Sequence, residues 1–467
     1  MLQKFPLKTW SYPLLSLACI AVYSMVVTFD FQLRWDDQWM IMNHYTERGF
    51  TWHNIRAIFT EFYYAQYSPI NQLIYTAIFS VFGFNPAVYH LYPLLLHIMN
   101  TCLMMLFIQR LFCGRTDAVT LRQVAFFTAL LFAIHPLQVE SVAWISASKI
   151  PLYTLFGLLM MLSYMRYVRT GKTRFYLLAF LMLVFSFGSK EQSVMLPLLL
   201  PLIDWVLRRT PLACGEDMAS EGEGITKRSW WYLLAEKMPF LLFSLVAGLI
   251  TYFNQSAAVI AEWAGYPFGQ RMVFGAYSLV EYIGTLVAPV NLLYFYPFPM
   301  APGYPFPLHF LIYPIVVIVA AGFLFKTLKR EHWPIIFGLL WFLINMALVL
   351  HVVAMSRLTI MADRYMYLSS VGLFFIATWY GVPFIKKTLA GGKKWALAVA
   401  VCYMLYLGIF AHIRTYAWRD SDTLRRELIE LIEPTELVEP AEDVEPVELV
   451  EPVEDSEQPP NQNSEPE

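Results

Sequence analysis

Four short groups of ionisable residues interrupt an otherwise apolar chain, each where a hydrophobic run stops. Asp36 and Asp37 follow the first run in Arg34-Trp35-Asp36-Asp37-Gln38-Trp39. Adjacent residues cannot share one helix face, so one carboxylate can work on a substrate while the other orients it or holds a neighbouring donor. A carboxylate within hydrogen-bond reach of a hydroxyl is a natural general base. In Ala362-Asp363-Arg364-Tyr365-Met366-Tyr367, Arg364 is placed to fork onto a phosphate, with Lys149 and Arg357 as lesser candidates for the same anion. Tyr365 and Tyr367 supply hydroxyls there or simply anchor at the interface. Lys190 and Glu191 occupy a tight break between two apolar runs, where charges are expensive unless they pair or meet a ligand. Finally, Pro136 breaks a helix and leaves His135 and Glu140 at the surface. Two such ligands make a weak metal signal, so no metal site is assigned and a divalent ion stays open. Blander readings stand beside these: a solvated helix end for the aspartates, a dipole partner for His135, a structural ion pair for Lys190 and Glu191.

The elements that must position these groups are membrane helices. The chain has 467 residues, 58% hydrophobic and only 15% charged, against about a quarter charged in soluble domains. An all-α polytopic membrane protein follows. Apolar runs read as roughly 9–29, 88–109, 123–137, 150–167, 175–189, 191–207, 238–256, 307–326, 333–352, 365–385 and 395–413, about eleven spans. Runs near 69–83 and 273–290 are doubtful. Basic clusters at Lys4/Lys8, Arg110/Arg115/Arg122, Arg166–Arg174, Arg208–Lys237, Lys326–Arg330 and Lys386–Lys394 mark the cytoplasmic side. They agree with one another only if 69–83 and 273–290 lie as interfacial or re-entrant helices on the outer side. The N-terminus is then cytoplasmic, the first helix is a retained span rather than a cleaved signal, and the C-terminus lies outside. All four chemical groups fall on that outer side.

Residues 1–418 form the expected membrane domain and 419–467 an acidic tail. From Asp420 onward the chain carries 17 acidic and two basic residues, and its Val-Glu-Pro repeats with no aromatics predict disorder. With −2 overall, the membrane body is strongly basic, as cytoplasmic loops make it, and nucleic-acid binding does not follow. The five cysteines are scattered without metal or disulfide spacing.

Taken together, the motifs resemble a known family. The acidic pair, Ser68-Pro69-Ile70, Phe82-Gly83-Phe84-Asn85-Pro86 running to His90, His97, His135-Pro136 through Glu140-Ser141-Val142-Ala143-Trp144-Ile145-Ser146, Lys190-Glu191 and Asp363-Arg364-Tyr365-Met366-Tyr367-Leu368 look like the transmembrane and tetratricopeptide-repeat-containing O-mannosyltransferases and their bacterial relatives. Those belong to the GT-C class of polytopic glycosyltransferases, and the likeness covers most of residues 20–420. It implies a polyprenyl-phosphate-linked sugar donor, a protein-hydroxyl or cell-envelope glycan or lipid acceptor, and transfer at the non-cytoplasmic face of a bacterial inner membrane. It also implies catalysis by Asp36 or Asp37. GT-C membership places a basic residue at the lipid phosphate, for which Arg364 is the choice; Lys190, Lys149 and Tyr365 are further donor-binding candidates from the residues themselves, with His135, Glu140 and Glu191 in support. A single displacement with inversion is the expected course.

Two departures qualify the likeness. No tetratricopeptide repeats follow Trp418-Arg419-Asp420, so acceptor recognition by repeats does not carry over. After Ile145-Ser146 the family usually continues with a basic–acidic pair, whereas this chain reads Ala147-Ser148-Lys149-Ile150-Pro151. Two other classes remain: a flippase of lipid-linked glycan, which would place its charges near the bilayer midplane in related halves, and a non-catalytic scaffold.

Overall fold

The structure is a computed structural model that describes residues 7–432 except Ala65, 210–227, 264–265 and 352–358. The N-terminal Lys4, Lys227, Arg357 and the tail beyond 432 therefore lie outside the described residues. Two units separate, residues 1–425 with the helical bundle and residues 426–467. Among the described residues there is no strand, only isolated bridges at Tyr63–Gln66 and Tyr296–Met361.

The first helix, α1 (Leu7–Tyr23), tightens into a 3₁₀ turn at Ser24–Thr28. Four helices then precede the second long span: α2 (Asp37–Met40), α3 (His44–Glu47), α4 (Trp52–Thr60) and α5 (Pro69–Phe82). Their short polar sequences are held by side-chain caps. Asn43 accepts from the Thr46 N–H and Thr51 from the Asn54 N–H. Asn54 Nδ2 donates to the carbonyls of Tyr45 and Gly49, both at 2.7 Å, tying α4 to α3.

The bundle follows with α6 (Pro86–Leu111) and α7 (Ala118–Ile134), capped by Asn85 and Asp117. Pro136 cannot continue α7, and the chain turns by 60° into a 3₁₀ turn and α8 (Val139–Ala143). A second 3₁₀ turn, Ile145–Ser148, leads into α9 (Lys149–Thr170). Next come α10 (Thr173–Phe187), a 3₁₀ stretch at Glu191–Leu198 and α11 (Leu199–Val206). The long α12 (Trp230–Trp263) and α13 (Phe268–Val287) are followed by α14 (Ile312–Thr327) and α15 (Trp333–Met346). The described chain ends with α16 (Met366–Ala390), α17 (Trp395–Thr415) and α18 (Ser421–Ile432).

This is an integral membrane protein: seven described helices are long and apolar enough to cross a bilayer, and the bent α7–α8 pair makes an eighth. The remaining runs counted as spans do form helices, but short ones: α10 has 15 residues, α15 has 14, and 191–207 divides between 3₁₀ and an eight-residue helix. Eleven full-length spans are therefore not reached among the described residues. The doubtful 273–290 run is the 20-residue α13, which carries Arg271 and Glu281 and is not among the helices apolar enough to span. Ser421–Ile432 is helical where the acidic tail was expected to begin disordered, and it carries Arg425 and Arg426, the only basic residues from Asp420 onward.

The Ile145–Thr170 span is the centre of the bundle, 83% of its most apolar stretch being buried, whereas Leu308–Thr327 is 6% buried and faces lipid. Without water to drive helices together, polar contacts and small residues hold them. Tyr367 on α16 donates its hydroxyl to His97 Nδ1 (2.8 Å), and Asn100 of α6 donates to the Pro151 carbonyl (2.8 Å). At the far end of α9, Arg209 grips both Glu236 oxygens at 2.9 Å and Asp204 at 3.0 Å, while Lys237 pairs with both acids. Where α15 crosses α16, Gly338 and Gly372 meet backbone to backbone, so that a Cβ on either would strike the other's carbonyl. Gly372→Ala must push the helices apart. It is expected to lower stability by about 1–3 kcal/mol, read as a drop in melting temperature in detergent, whereas Gly322→Ala on lipid-facing α14, with open space at its Cβ, should leave it unchanged.

Candidate active site

The first connection is stitched to the end of α17. The Asp30 N–H donates to the Arg419 carbonyl (2.9 Å) and Gln32 Nε2 to the Trp418 carbonyl (2.8 Å). This sets the approach to α2, where the two aspartates part company. Asp37 is fully buried. Its Oδ2 accepts from the Gln32 N–H (2.8 Å), and its Oδ1 accepts from both the N–H (3.1 Å) and the hydroxyl of Ser146. Burial pushes its pKa up to about 6 despite these donors, which favour the charged form. Asp36, the N-cap position of α2, is half-buried, and its carboxylate accepts no hydrogen bond among the described residues. It is the open carboxylate of the pair.

By fastening α2 to Ser146, Asp37 also fastens it to the turn that precedes Lys149. Lys149 opens α9, where the helix dipole disfavours a cation. Its ammonium donates to Gln66 Oε1 at 2.6 Å and lies within electrostatic reach of Lys190, Glu191, Asp36 and Arg364. Lys190 is buried in the break after α10, with its Nζ 3.6 Å from Glu191 Oε1. That break is held close by the Ile70 N–H, which donates to the Gly188 carbonyl (2.9 Å). A Cβ on Gly188 would stand 2.9 Å from Ile70 Cγ1, so only glycine allows α5 this approach.

Arg364 is presented from the opposite wall. Glu140 accepts its backbone N–H (2.6 Å) and pairs with its guanidinium, which lies 5.5 Å over the Trp144 ring and 5.0 Å over Tyr365. Trp144 in turn stacks on Trp418, with centroids 5.2 Å apart and planes 13° from parallel. Asp363 turns away and accepts the Tyr296 hydroxyl (2.7 Å).

Asp36, Lys149, Lys190, Glu191 and Arg364 are thus brought together, Glu140 and Asp37 stand behind them, and Tyr365 lies under the guanidinium. Neither His135 nor Glu140 is surface-exposed as expected from the Pro136 break: Glu140 is buried against Arg364. His135 is fully buried as well, with Nδ1 accepting from the Leu137 N–H (3.2 Å), so Nε2 carries the proton it donates to the Leu286 carbonyl (2.9 Å). It locks the bend to α13, and the His135–Glu140 pair does not converge on a common point. Among the described residues no three His, Cys, Asp or Glu side chains group as metal ligands. Arg357, the remaining phosphate candidate, is outside the described residues. Ser146, Gln66 and Trp418 were not anticipated as supports. Gln66 lies 83 positions before the lysine it meets, and no local pattern marks such a contact.

No known protein-family profile matches the chain. Over 149 residues it is 32% identical to the protein O-mannosyl-transferase TMTC1 of Mus musculus, a match that takes in 29% of this chain and 15% of that protein. The Homo sapiens counterpart matches equally, at 32% identity over 149 residues and 16% of its length. The likeness read from the motifs is therefore present in curated relatives, of whose length the chain matches only a small part. Among solved structures, the apo crystal structure of the Archaeoglobus fulgidus oligosaccharyltransferase superimposes with a TM-score of 0.46 at 13% identity, covering 88% of this chain and 56% of that one.

Asp37 gives a pH prediction. Its ordinary pKa is 3.8 and its folded value about 6, so between these the folded state holds the extra proton. Stability linked to this group is fullest below 3.8 and is lost as pH rises through about 6. Asp37→Asn does not titrate, although it turns an amide donor toward a backbone N–H and loses about 1–3 kcal/mol for the unpaired group. The melting-temperature advantage of wild type over Asp37→Asn should therefore shrink from pH 4 to pH 7. An advantage that grows with pH would mean that Asp37 is not raised.

Proposed function

We propose that this chain is a membrane glycosyltransferase of the GT-C type. It takes a sugar from a polyprenyl-phosphate-linked donor and transfers it to an acceptor hydroxyl, on a protein or on a cell-envelope glycan or lipid, at the non-cytoplasmic face. One observation carries the reading. Residues from four separate parts of the chain place an unbonded carboxylate, Asp36, within electrostatic reach of Lys149 and Arg364, with Lys190 and Glu191 beside them. The 32% identity to an O-mannosyl-transferase over 149 residues supports the same reaction class.

The chemistry asks for these groups. The acceptor oxygen forms a bond to the anomeric carbon as the bond from that carbon to the phosphate oxygen breaks. The hydroxyl proton goes to Asp36, and the electron pair leaves with the lipid phosphate. Positive charge builds on the sugar ring beside the carboxylate, and negative charge on the phosphate beside Arg364, Lys190 and Lys149. Because the donor brings its own leaving group, no nucleotide site is required. Direct attack inverts the anomeric centre, and no glycosyl-enzyme forms. Glu140 keeps Arg364 aimed while leaving its side chain 22% exposed, enough for a guanidinium to meet an anion. Asp37 is the positioning residue, for its oxygens are already occupied.

The test is release of free lipid phosphate from a panel of polyprenyl-phosphate hexoses by the purified full chain. Asp36→Asn should lower kcat on the order of 10²–10³-fold with folding intact. Arg364→Lys keeps the charge but loses the fork, and should raise the donor KM on the order of tenfold. Undiminished release by Asp36→Asn would remove it as the base, and a trapped covalent sugar would overturn the single displacement.

A further inference from the structure

Beside the charged cluster lies a pocket of about 380 Å³, its open mouth included, enclosed by the helices of the first connection. Met40 and Ile58 give it an apolar floor, and Tyr45, Tyr63, Glu61, Gln66 and Ser68 line its walls. The walls are built stiffly. Tyr63 and Gln66 exchange two backbone hydrogen bonds of 3.0 and 2.9 Å, closing a turn that holds Tyr64 at a φ of 47°. A non-glycine residue in that region is uncommon and persists only when its surroundings hold it. The Tyr45 hydroxyl donates to Glu61 Oε2 at 2.5 Å, which aims the carboxylate. Gln72, also in the wall, is spent on Asn43 and Thr46.

What remains unspent identifies the ligand. Glu61 Oε1 accepts no hydrogen bond among the described residues. Gln66 gives its carbonyl oxygen to Lys149, and its amide N–H groups donate to no other group among the described residues. The Tyr63 and Ser68 hydroxyls make no hydrogen bond among the described residues, and the Tyr63 ring offers a face. No lysine or arginine lines the pocket, so an anion has no partner there. A purely apolar ligand would strip water from four polar groups and return nothing. A neutral pyranose matches every group: its hydroxyl edge can donate to a carboxylate and accept from an amide, and its C–H face can lie on an aromatic ring.

We propose that this pocket is a saccharide subsite that holds one neutral pyranose ring. Its position follows from two contacts. Asp36 and Met40 sit at opposite ends of α2, about 6 Å apart along the helix, and Gln66 joins the pocket wall to Lys149. The ring is therefore either the sugar of the lipid-linked donor or the terminal sugar of a glycan acceptor. That alternative rests on the glycosyl-transfer reading, whereas binding itself does not.

The experiment is saturation-transfer NMR on the detergent-solubilised full chain with the methyl glycosides of mannose, glucose, galactose and N-acetylglucosamine. At least one should receive saturation from wild type. Glu61→Gln and Tyr63→Leu should weaken it roughly tenfold or more, the scale of one charge-assisted hydrogen bond or one ring contact, while Tyr63→Phe, which keeps the ring, should weaken it less than Tyr63→Leu. Melting temperatures and the Tyr63→Phe control separate lost binding from lost folding. Glycoside binding is read without any transfer step, so that a failed transferase reading and a failed subsite give different results. Loss of the glycoside signal on adding a short polyprenyl phosphate that carries the same sugar assigns the ring to the donor. Persistence assigns it to the acceptor. Absence of binding by every glycoside, or binding indifferent to Glu61→Gln and Tyr63→Leu, would overturn the proposal.

Discussion

The buried carboxylate of Asp37 is the contact on which the site depends. It accepts from a backbone N–H on one side and from the N–H and hydroxyl of Ser146 on the other, joining segments 109 positions apart. One end of this joint is the start of α2, whose cap residue is Asp36. The other end is the turn that delivers Lys149. Two groups of opposite charge are thereby brought near each other by a third whose own oxygens are already occupied. Burial makes the joint sensitive, because a carboxylate with no water around it relies on its donors to stay ionised.

Opposite charges placed together would ordinarily collapse into an ion pair, and here the neighbours prevent it. Lys149 is drawn toward Gln66, a neutral acceptor, which sets its position without pairing it with an opposite charge. Arg364 is held through Glu140 along one edge of its fork, with aromatic rings on its faces. Lys190 faces Glu191 at 3.6 Å, a loose contact compared with the 2.9 Å pairs elsewhere in the bundle. Attachments of this kind fix where each charge lies without using it up.

Much of this was legible in the sequence, and the boundary between legible and hidden is physical. Apolar runs, caps and the break at Pro136 are local properties, so helices appear where periodicity put them. Length decides whether a helix crosses: α15 ends six residues before the end of the run that announced it, and α10, at 15 residues, is as short as its run. The charges at helix ends were legible because a membrane penalises them. Which aspartate would be buried was not, since Asp36 and Asp37 differ only in what lies across from them, and Ser146 comes from a distant segment. His135 misled for the same reason. Its exposure was inferred from the proline beside it, but the Leu286 carbonyl that takes its proton belongs to α13.

A comparison within the molecule sets the cluster around Asp36 apart from a closed ion-pair network. Near the opposite end of α9, Arg209 and Lys237 meet Asp204 and Glu236, two cations against two anions, with the Tyr164 hydroxyl filling a remaining position at 2.9 and 2.8 Å. Every charge there has a direct opposite partner, as low-dielectric surroundings require of a purely structural group. Around Asp36 the opposite charges are present in similar number, yet Asp36 and Lys149 make no direct ion pair, and part of the Arg364 guanidinium is open. A fold able to close one such network completely has left the other with vacancies of both signs side by side. On the proposed reaction, a sugar phosphate attacked by a hydroxyl would fill that pattern, because it develops a negative oxygen and releases a proton at the same moment.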